Sequence, residues 1–295
     1  MSQARRSHLI AILQALFVSF LWSTSWVLIK FGLEEIPALT FAGLRYSLAF
    51  LVLLPFVARR EHRGVLSELS GRRWLELAAL GLLFYTLTQG AMFMALAFLP
   101  AMPVSLILSF SPAAVALLAI PMLAEVPTRI QWGGMVLFLV GVLAYFSPFE
   151  VPLQPIGLAA ALIGLMTNAV SSVMGRSVNR RRDLHPLLVT VVSMGVGAIA
   201  LLGVGLAVEG LPHLDARSWA IIAYLAVVNT ALAFTLWNYT LQRLTAVESS
   251  IINNTMLIQI AVLAWLILGE PMGWKEALGI ALAAVGALLV QLRRS

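Results

Sequence analysis

Apolar residues run along this chain in long blocks, and short polar joints separate one block from the next. A bilayer core about 30 Å thick takes roughly 20 apolar residues per helix. Ten blocks fit that length, at about 8–32, 38–58, 72–98, 101–124, 129–147, 153–178, 185–208, 217–243, 246–268 and 273–292. Prolines or charges mark most joints: Pro37, Arg59 to Arg73, Pro100, Glu125-Val-Pro127, Pro148 to Pro155, Arg180 to Pro186, Pro212 and Glu270-Pro271. The first block is longer than the apolar part of a signal peptide and has no A-x-A-like cleavage site, so it reads as a helix that stays.

Composition sharpens this into a class. Of 295 residues, 61% are hydrophobic and 11% charged. A soluble domain carries about 25% charged residues. A soluble core of this size could not hide so much apolar surface. The fold class is therefore all-α, integral and multi-pass. There is no cysteine, which removes disulfides and cysteine-held iron–sulfur or haem sites. The four histidines, His8, His62, His185 and His213, lie at segment ends or in loops, so neither a metal nor a cofactor is expected.

Orientation follows from the cations. The net charge is +6, with 17 arginines against two lysines. With the N-terminus in the cytoplasm, Arg5, Arg6, Arg59, Arg60, Arg63, Arg72, Arg73, Arg129, Arg176, Arg180, Arg181, Arg182, Arg243, Arg293 and Arg294 face inward. Only Lys30, Arg217 and Lys275 face outward, and Arg45 lies within the second helix. Such a bias puts both termini inside, and it explains the charge without nucleic acid.

An internal repeat organises the ten segments. Residues 75–143 align without gaps to 220–288 at a constant offset of 145. Leu99 meets Leu244, Ser105 meets Ser250, Glu125 meets Glu270, Gly134 meets Gly279, and Gly141 meets Gly286. The chain thus divides into five-helix repeats at 1–148 and 153–295. Five is odd, so the repeats enter the membrane with opposite orientation. Inverted repeats of this kind enclose a central cavity near the midplane in many secondary transporters.

Polar side chains at helix depth need partners or a water-filled cavity. The first helix carries Leu21-Trp-Ser-Thr-Ser-Trp26 and then Lys30. We expect Trp22, Ser23 and Ser25 to line the cavity and Lys30 to snorkel to the headgroups. Arg45 lies seven residues past the start of its segment, about 10 Å deep at 1.5 Å per residue. It either binds carbonyls or Glu34 and Glu35, or meets a substrate anion. In the third segment Tyr85, Gln89 and Met92 fall at i, i+4 and i+7, one stripe of an α-helix. The eighth, its repeat mate, brings Asn229 and Trp237. Further candidates are Ser109, Asn168, Asn253 and Asn254. The seven-residue spacing of Gly134/Gly141 and Gly279/Gly286 predicts close helix packing.

No Asp or Glu stands at mid-helix depth anywhere. A buried proton relay is therefore not expected, and no nucleophile-and-base pair suggests an enzyme. The expected lining is neutral, polar and aromatic.

These residues resemble the drug/metabolite transporter superfamily in its ten-helix EamA-type branch. The resemblance spans nearly the whole chain. It rests on Leu21 to Trp26, on Phe41-Ala-Gly-Leu-Arg-Tyr46, and on the helix-end signatures Leu123-Ala-Glu125 and Leu268-Gly-Glu-Pro271. The glycine-bearing Trp132-Gly-Gly134 and Leu278-Gly279 segments add to it. The first-helix signature also looks like the aromatic amino-acid exporters. The resemblance implies a bacterial inner-membrane exporter of neutral or aromatic amino acids, or related metabolites, working by alternating access. Its partners would be a small solute and the bilayer; a monomer would suffice, with a homodimer open. A carrier of nucleotide sugars, lipid-linked sugars or drugs, or a non-transporting scaffold, is the alternative. The small four-helix relatives carry a first-helix glutamate that this chain lacks, so their proton antiport is not implied.

Overall fold

The computed structural model describes residues 3–57, 60–99, 101–146, 154–268 and 273–291, and every regular element among them is helical. In chain order these are α1 Gln3–Gly32, α2 Ala38–Val57, α3 Arg60–Ser67, α4 Gly71–Gly81, a first π segment Leu82–Thr88, α5 Gln89–Phe98, α6 Ala101–Leu108, α7 Ser111–Leu123 and α8 Arg129–Phe146. The second half holds α9 Pro155–Arg180, α10 Pro186–Val208, α11 Ala216–Ala226, a second π segment Val227–Leu232, α12 Ala233–Thr240, α13 Ala246–Leu268 and α14 Trp274–Gln291.

Among the described residues, seven helical runs are long and apolar enough to cross a membrane: Arg6–Gly32, Ala38–Val57, Gly71–Phe98, Val104–Leu123, Pro155–Arg180, Pro186–Val208 and Ala216–Thr240. Arg129–Tyr145 and Ala277–Val290 are shorter apolar helices. The chain is turned inside out relative to a soluble protein. Leu13, Leu51, Leu117, Ile199 and Leu288 are exposed, whereas Thr190, Asn229, Thr230 and Asn238 are buried. That distribution suits a lipid solvent outside and hydrogen-bonded polar groups inside.

Local sequence explains the helix starts. Pro112, Pro155 and Pro186 occupy first-turn positions, where a missing N–H costs nothing. Capping boxes open two helices. Thr128 and Gln131 exchange bonds of 2.9 and 3.2 Å before α8, and Thr245 and Glu248 exchange bonds of 2.8 and 3.2 Å before α13. Asp215 caps α11, and the Ser218 N–H it accepts holds its carboxyl below the usual carboxylate range.

Two expected helices are interrupted, and a third is broken. The blocks at 72–98 and 217–243 each hold a π segment instead of one continuous α-helix. At the repeat offset of 145, Leu82 corresponds to Val227, so the two π segments begin at equivalent positions. In each, a threonine hydroxyl bonds five residues back: Thr88 to the Leu83 carbonyl and Thr230 to the Leu225 carbonyl, both at 2.8 Å. The 101–124 block breaks between α6 and α7, at Ser109 and Phe110, just before Pro112, because proline has no N–H to donate to the carbonyl four residues back and its ring crowds that carbonyl.

Two glycine-mediated contacts bring repeat-mate helices together. A Cβ at Gly134 would stand 2.8 Å from the Gly286 carbonyl, and one at Gly141 would stand 2.6 Å from the Gly279 carbonyl. The expected close packing is thus α8 against α14. In the same way a Cβ at Gly205 would meet the α2 backbone at Thr40, 2.7 Å away. The Glu209 carboxylate then accepts the N–H groups of Leu39 and Thr40 at 3.1 and 2.8 Å. Glu270, in the second helix-end signature, lies outside the described residues.

Candidate functional site: a cavity between the halves

The first helix resolves its own hydroxyl run. Ser23, Thr24 and Ser25 each donate to the carbonyl three residues back, at 2.7 Å. Their hydrogen bonds are closed within the turn, and what remains is a face. Trp22, Ser25 and Trp26 fall at i, i+3 and i+4 and point together into a cavity of about 90 Å³.

Both halves of the chain supply its wall. From the first come Trp22, Ser25, Trp26, Arg45, Tyr46, Phe84, Thr88, Gln89, Met92, Ser105, Leu108 and Ser111. From the second come Gly164, Asn168, Phe234, Asn253, Asn254 and Met256. Of the residues expected there, Trp22, Ser25, Arg45, Gln89, Met92, Asn168, Asn253 and Asn254 are brought together.

Five are placed elsewhere, each for a local reason. Ser23 is about 100° round the helix from Trp22, and its hydroxyl is closed on Phe20. Tyr85 is buried under the cavity, in ring contact with Tyr46 at 5.4 Å and Phe234 at 5.3 Å. The π segment moved it. A π turn closes i→i+5, so the residue that shares a face with Gln89 is Phe84, not Tyr85. Ser109 sits in the break after α6 and donates back to Leu106 at 2.6 Å. Trp237 packs on Trp22 at 5.2 Å and joins an apolar layer with Ala11, Ala15, Leu244 and Ile252. Asn229 is a strut: its side-chain N–H groups reach the Leu21 carbonyl and, at 3.3 Å, Thr24 Oγ1.

Arg45 is 2% exposed. Its Nε donates to Thr230 Oγ1 at 2.8 Å and its Nη2 to the Asn229 carbonyl at 3.4 Å. Trp22 Nε1 donates to the same carbonyl at 3.0 Å. The second π segment is therefore held from two helices of the first half. Neither Glu34 nor Glu35 pairs with Arg45 among the described residues.

The end of the molecule where α1 begins and α9 ends carries most of the arginines, and there the halves are tied. Glu125 Oε1 accepts from Arg176 Nε at 2.9 Å, and Oε2 accepts the Ala246 N–H at 2.9 Å. Arg176 also donates to the Leu241 carbonyl at 2.8 Å, and Arg180 to the Leu123 carbonyl at 2.9 Å. Ala124, left-handed at φ 55°, ends α7 and turns Glu125 into this cluster. An apolar plug of Val115, Ala119, Leu123, Ala169, Val173 and Ala246 lies with it. At the opposite end, Lys30 does not snorkel. Its Nζ caps α5 by donating to the Leu96 carbonyl at 3.0 Å and Leu99 at 3.4 Å. Leu96 and Leu241 are 145 apart, so Lys30 and Arg176 cap repeat-equivalent turns.

Known proteins carry the same pattern. The model of the EamA-like transporter family matches twice, over residues 9–147 and 155–292. An uncharacterized transporter of Archaeoglobus fulgidus is 25% identical over 96% of both chains. The uncharacterized inner membrane transporter YedA of Escherichia coli is 24% identical over 98% of this chain and 93% of its own. A solved crystal structure, 17% identical, superposes with a TM-score of 0.76 over 96% of each chain.

Proposed function

Because the chain belongs to the EamA-like transporter family, and is thus a multi-pass membrane transporter, we propose that it exports neutral or aromatic amino acids, or closely related metabolites, across a bacterial inner membrane. The observation that carries this reading is the cavity wall. Trp22, Trp26 and Phe234 offer aromatic faces, Gln89, Asn168 and Asn253 offer amides, and the wall draws on both halves of the chain. A mostly apolar pocket with a few convergent polar groups suits a small solute with one ring.

The mechanism in this reading is alternating access between inverted repeats 1–148 and 153–295. The arginine-rich end is the cytoplasmic one. In this reading Glu125, Arg176 and the apolar plug form the cytoplasmic gate. Opening inward separates Glu125 from Arg176 and frees the start of α13. Transport in this reading is exchange or facilitated diffusion, since no carboxylate lines the cavity among the described residues. One copy holds the whole cavity, so a monomer is the working unit. The aromatic wall favours the aromatic amino-acid exporter branch over carriers of nucleotide sugars, which need more than one cation.

The test is counterflow in proteoliposomes. Vesicles loaded with unlabelled phenylalanine should accumulate labelled Phe, Trp, Met or Thr saturably without a pH gradient. Folded, inserted protein that shows no counterflow for any of them would remove the substrate assignment.

A further inference from the structure

Within that cavity one cation stands without an anion. Arg45 is buried, lines the space, and has no carboxylate partner among the described residues. A guanidinium carries five N–H donors. Arg45 spends one on Thr230 and one on the Asn229 carbonyl. Three remain, including the whole Nη1 edge. Holding a buried positive charge on two neutral acceptors is costly unless an anion completes the shell. Arginine is also the side chain whose planar fork matches a carboxylate.

A second orphan lines the same wall. The side-chain carbonyl oxygen of Asn253 is buried and accepts no hydrogen bond. An acceptor of this kind costs free energy until a donor reaches it. Helix α1 reaches the surroundings of both positions through Trp22 and Ser19. The Trp22 indole shares the Asn229 carbonyl with Arg45. One helical turn earlier, Ser19 donates to the carbonyl of Ile252, the neighbour of Asn253, at 3.1 Å. A cation without a counter-anion and an acceptor without a donor in the wall of one cavity are complementary to a carboxylate and an ammonium.

We propose that the cavity is a zwitterion clamp in which Arg45 takes the solute's carboxylate and the Asn253 side-chain carbonyl takes its ammonium. The clamp rests on the reading above, that this cavity holds the transported solute. It adds a selection rule: both charged ends contribute to binding, and the decarboxylated amine binds more weakly than the amino acid. Arg45 has no basic counterpart in the second half, where the offset places Thr190. The solute is therefore held in one polarity, with its carboxylate on the side of α2.

The test is binding to the purified full chain in nanodiscs, read by tryptophan fluorescence. The probes are L-phenylalanine, phenylethylamine, 3-phenylpropionate and 3-phenylpropionamide. Phenylalanine should bind about tenfold or more tightly than phenylethylamine or 3-phenylpropionate, the ratio that a lost charged contact produces. The acid should also exceed its amide. Arg45→Gln should bring acid and amide to equal affinity, and Asn253→Leu should bring phenylalanine and 3-phenylpropionate together. Equal affinities across the series in the unaltered protein, or no saturable binding of any probe, overturn the clamp without any variant having to fold. A carboxylate preference that survives Arg45→Gln in a monodisperse variant also overturns it. Counterflow separates the two readings. Equal affinities with counterflow intact remove the clamp alone. The expected binding order without counterflow removes the export reading alone.

Discussion

The indole N–H of Trp22 donates to the main-chain carbonyl of Asn229 at 3.0 Å, which joins the first helix to the π segment of the other half. Trp22 thus has two duties, a cavity wall and a strut. Trp22→Phe keeps a ring and loses the strut. One hydrogen bond of this kind contributes about 0.5–1.5 kcal/mol. The expected outcome is a small loss in thermal stability in detergent, with counterflow weakened through a raised KM. Unchanged stability and KM together would show the bond to be idle.

The Glu125–Arg176 pair, with the Ala246 N–H on the other carboxylate oxygen, is the tie that an inward opening must break. Glu125→Gln removes the ion pair and keeps the side chain's size. It should raise the share of inward-open protein. The chain has no native cysteine, so a single reporter is clean. Ala169→Cys sits in the apolar plug beside this tie. An impermeant thiol reagent applied from the arginine-rich face should label it several-fold faster with Glu125→Gln than without. Equal labelling would show that the pair does not gate.

Gly141 faces Gly279 so closely that a Cβ would stand 2.6 Å from the Gly279 carbonyl, while Gly133 on the same helix has nothing within 4 Å. Gly141→Leu forces α8 and α14 apart, at a cost of about 1–3 kcal/mol or more. Gly133→Leu should be neutral or slightly stabilising, since leucine is the better helix former. A heat step followed by detergent chromatography should remove the monomer peak of the first and spare the second. Were both spared, the α8–α14 contact would be looser than its glycines imply.

Sequence pattern reached the helices and the small-residue face because both depend on side-chain volume and polarity, which spacing reports directly. It also reached Trp22, Gln89, Asn168 and Asn253 as cavity residues, since an amide or indole at bilayer depth needs a partner. It missed Phe84 and chose Tyr85 because that choice assumed an unbroken α-helix. A π segment adds a residue to the turn without disturbing the apolar run, so composition gives no sign of it. Lys30 was misread for a related reason. A lysine near a helix end reads as a snorkel, and only the structure brings the α5 carbonyls within its reach.

The π segments give the last prediction. A π turn amounts to one residue inserted in an α-helix, and removing one residue returns the flanking α11 and α12 to ordinary succession. Deleting Val228 should therefore leave the packed faces of both flanks in register. What it removes is the placement of the Asn229 carbonyl, to which Trp22 and Arg45 both donate. Deleting Ala220, inside α11, instead rotates everything before or after it by about 100° and should abolish folding. The Val228 deletion is thus expected to give a monodisperse membrane protein that has lost counterflow, and the Ala220 deletion none. If the Val228 deletion still transported, the π turn would be a tolerated insertion rather than part of the site. If it failed to fold, the turn would be needed for packing, and the strut between Trp22 and Asn229 would belong to stability first.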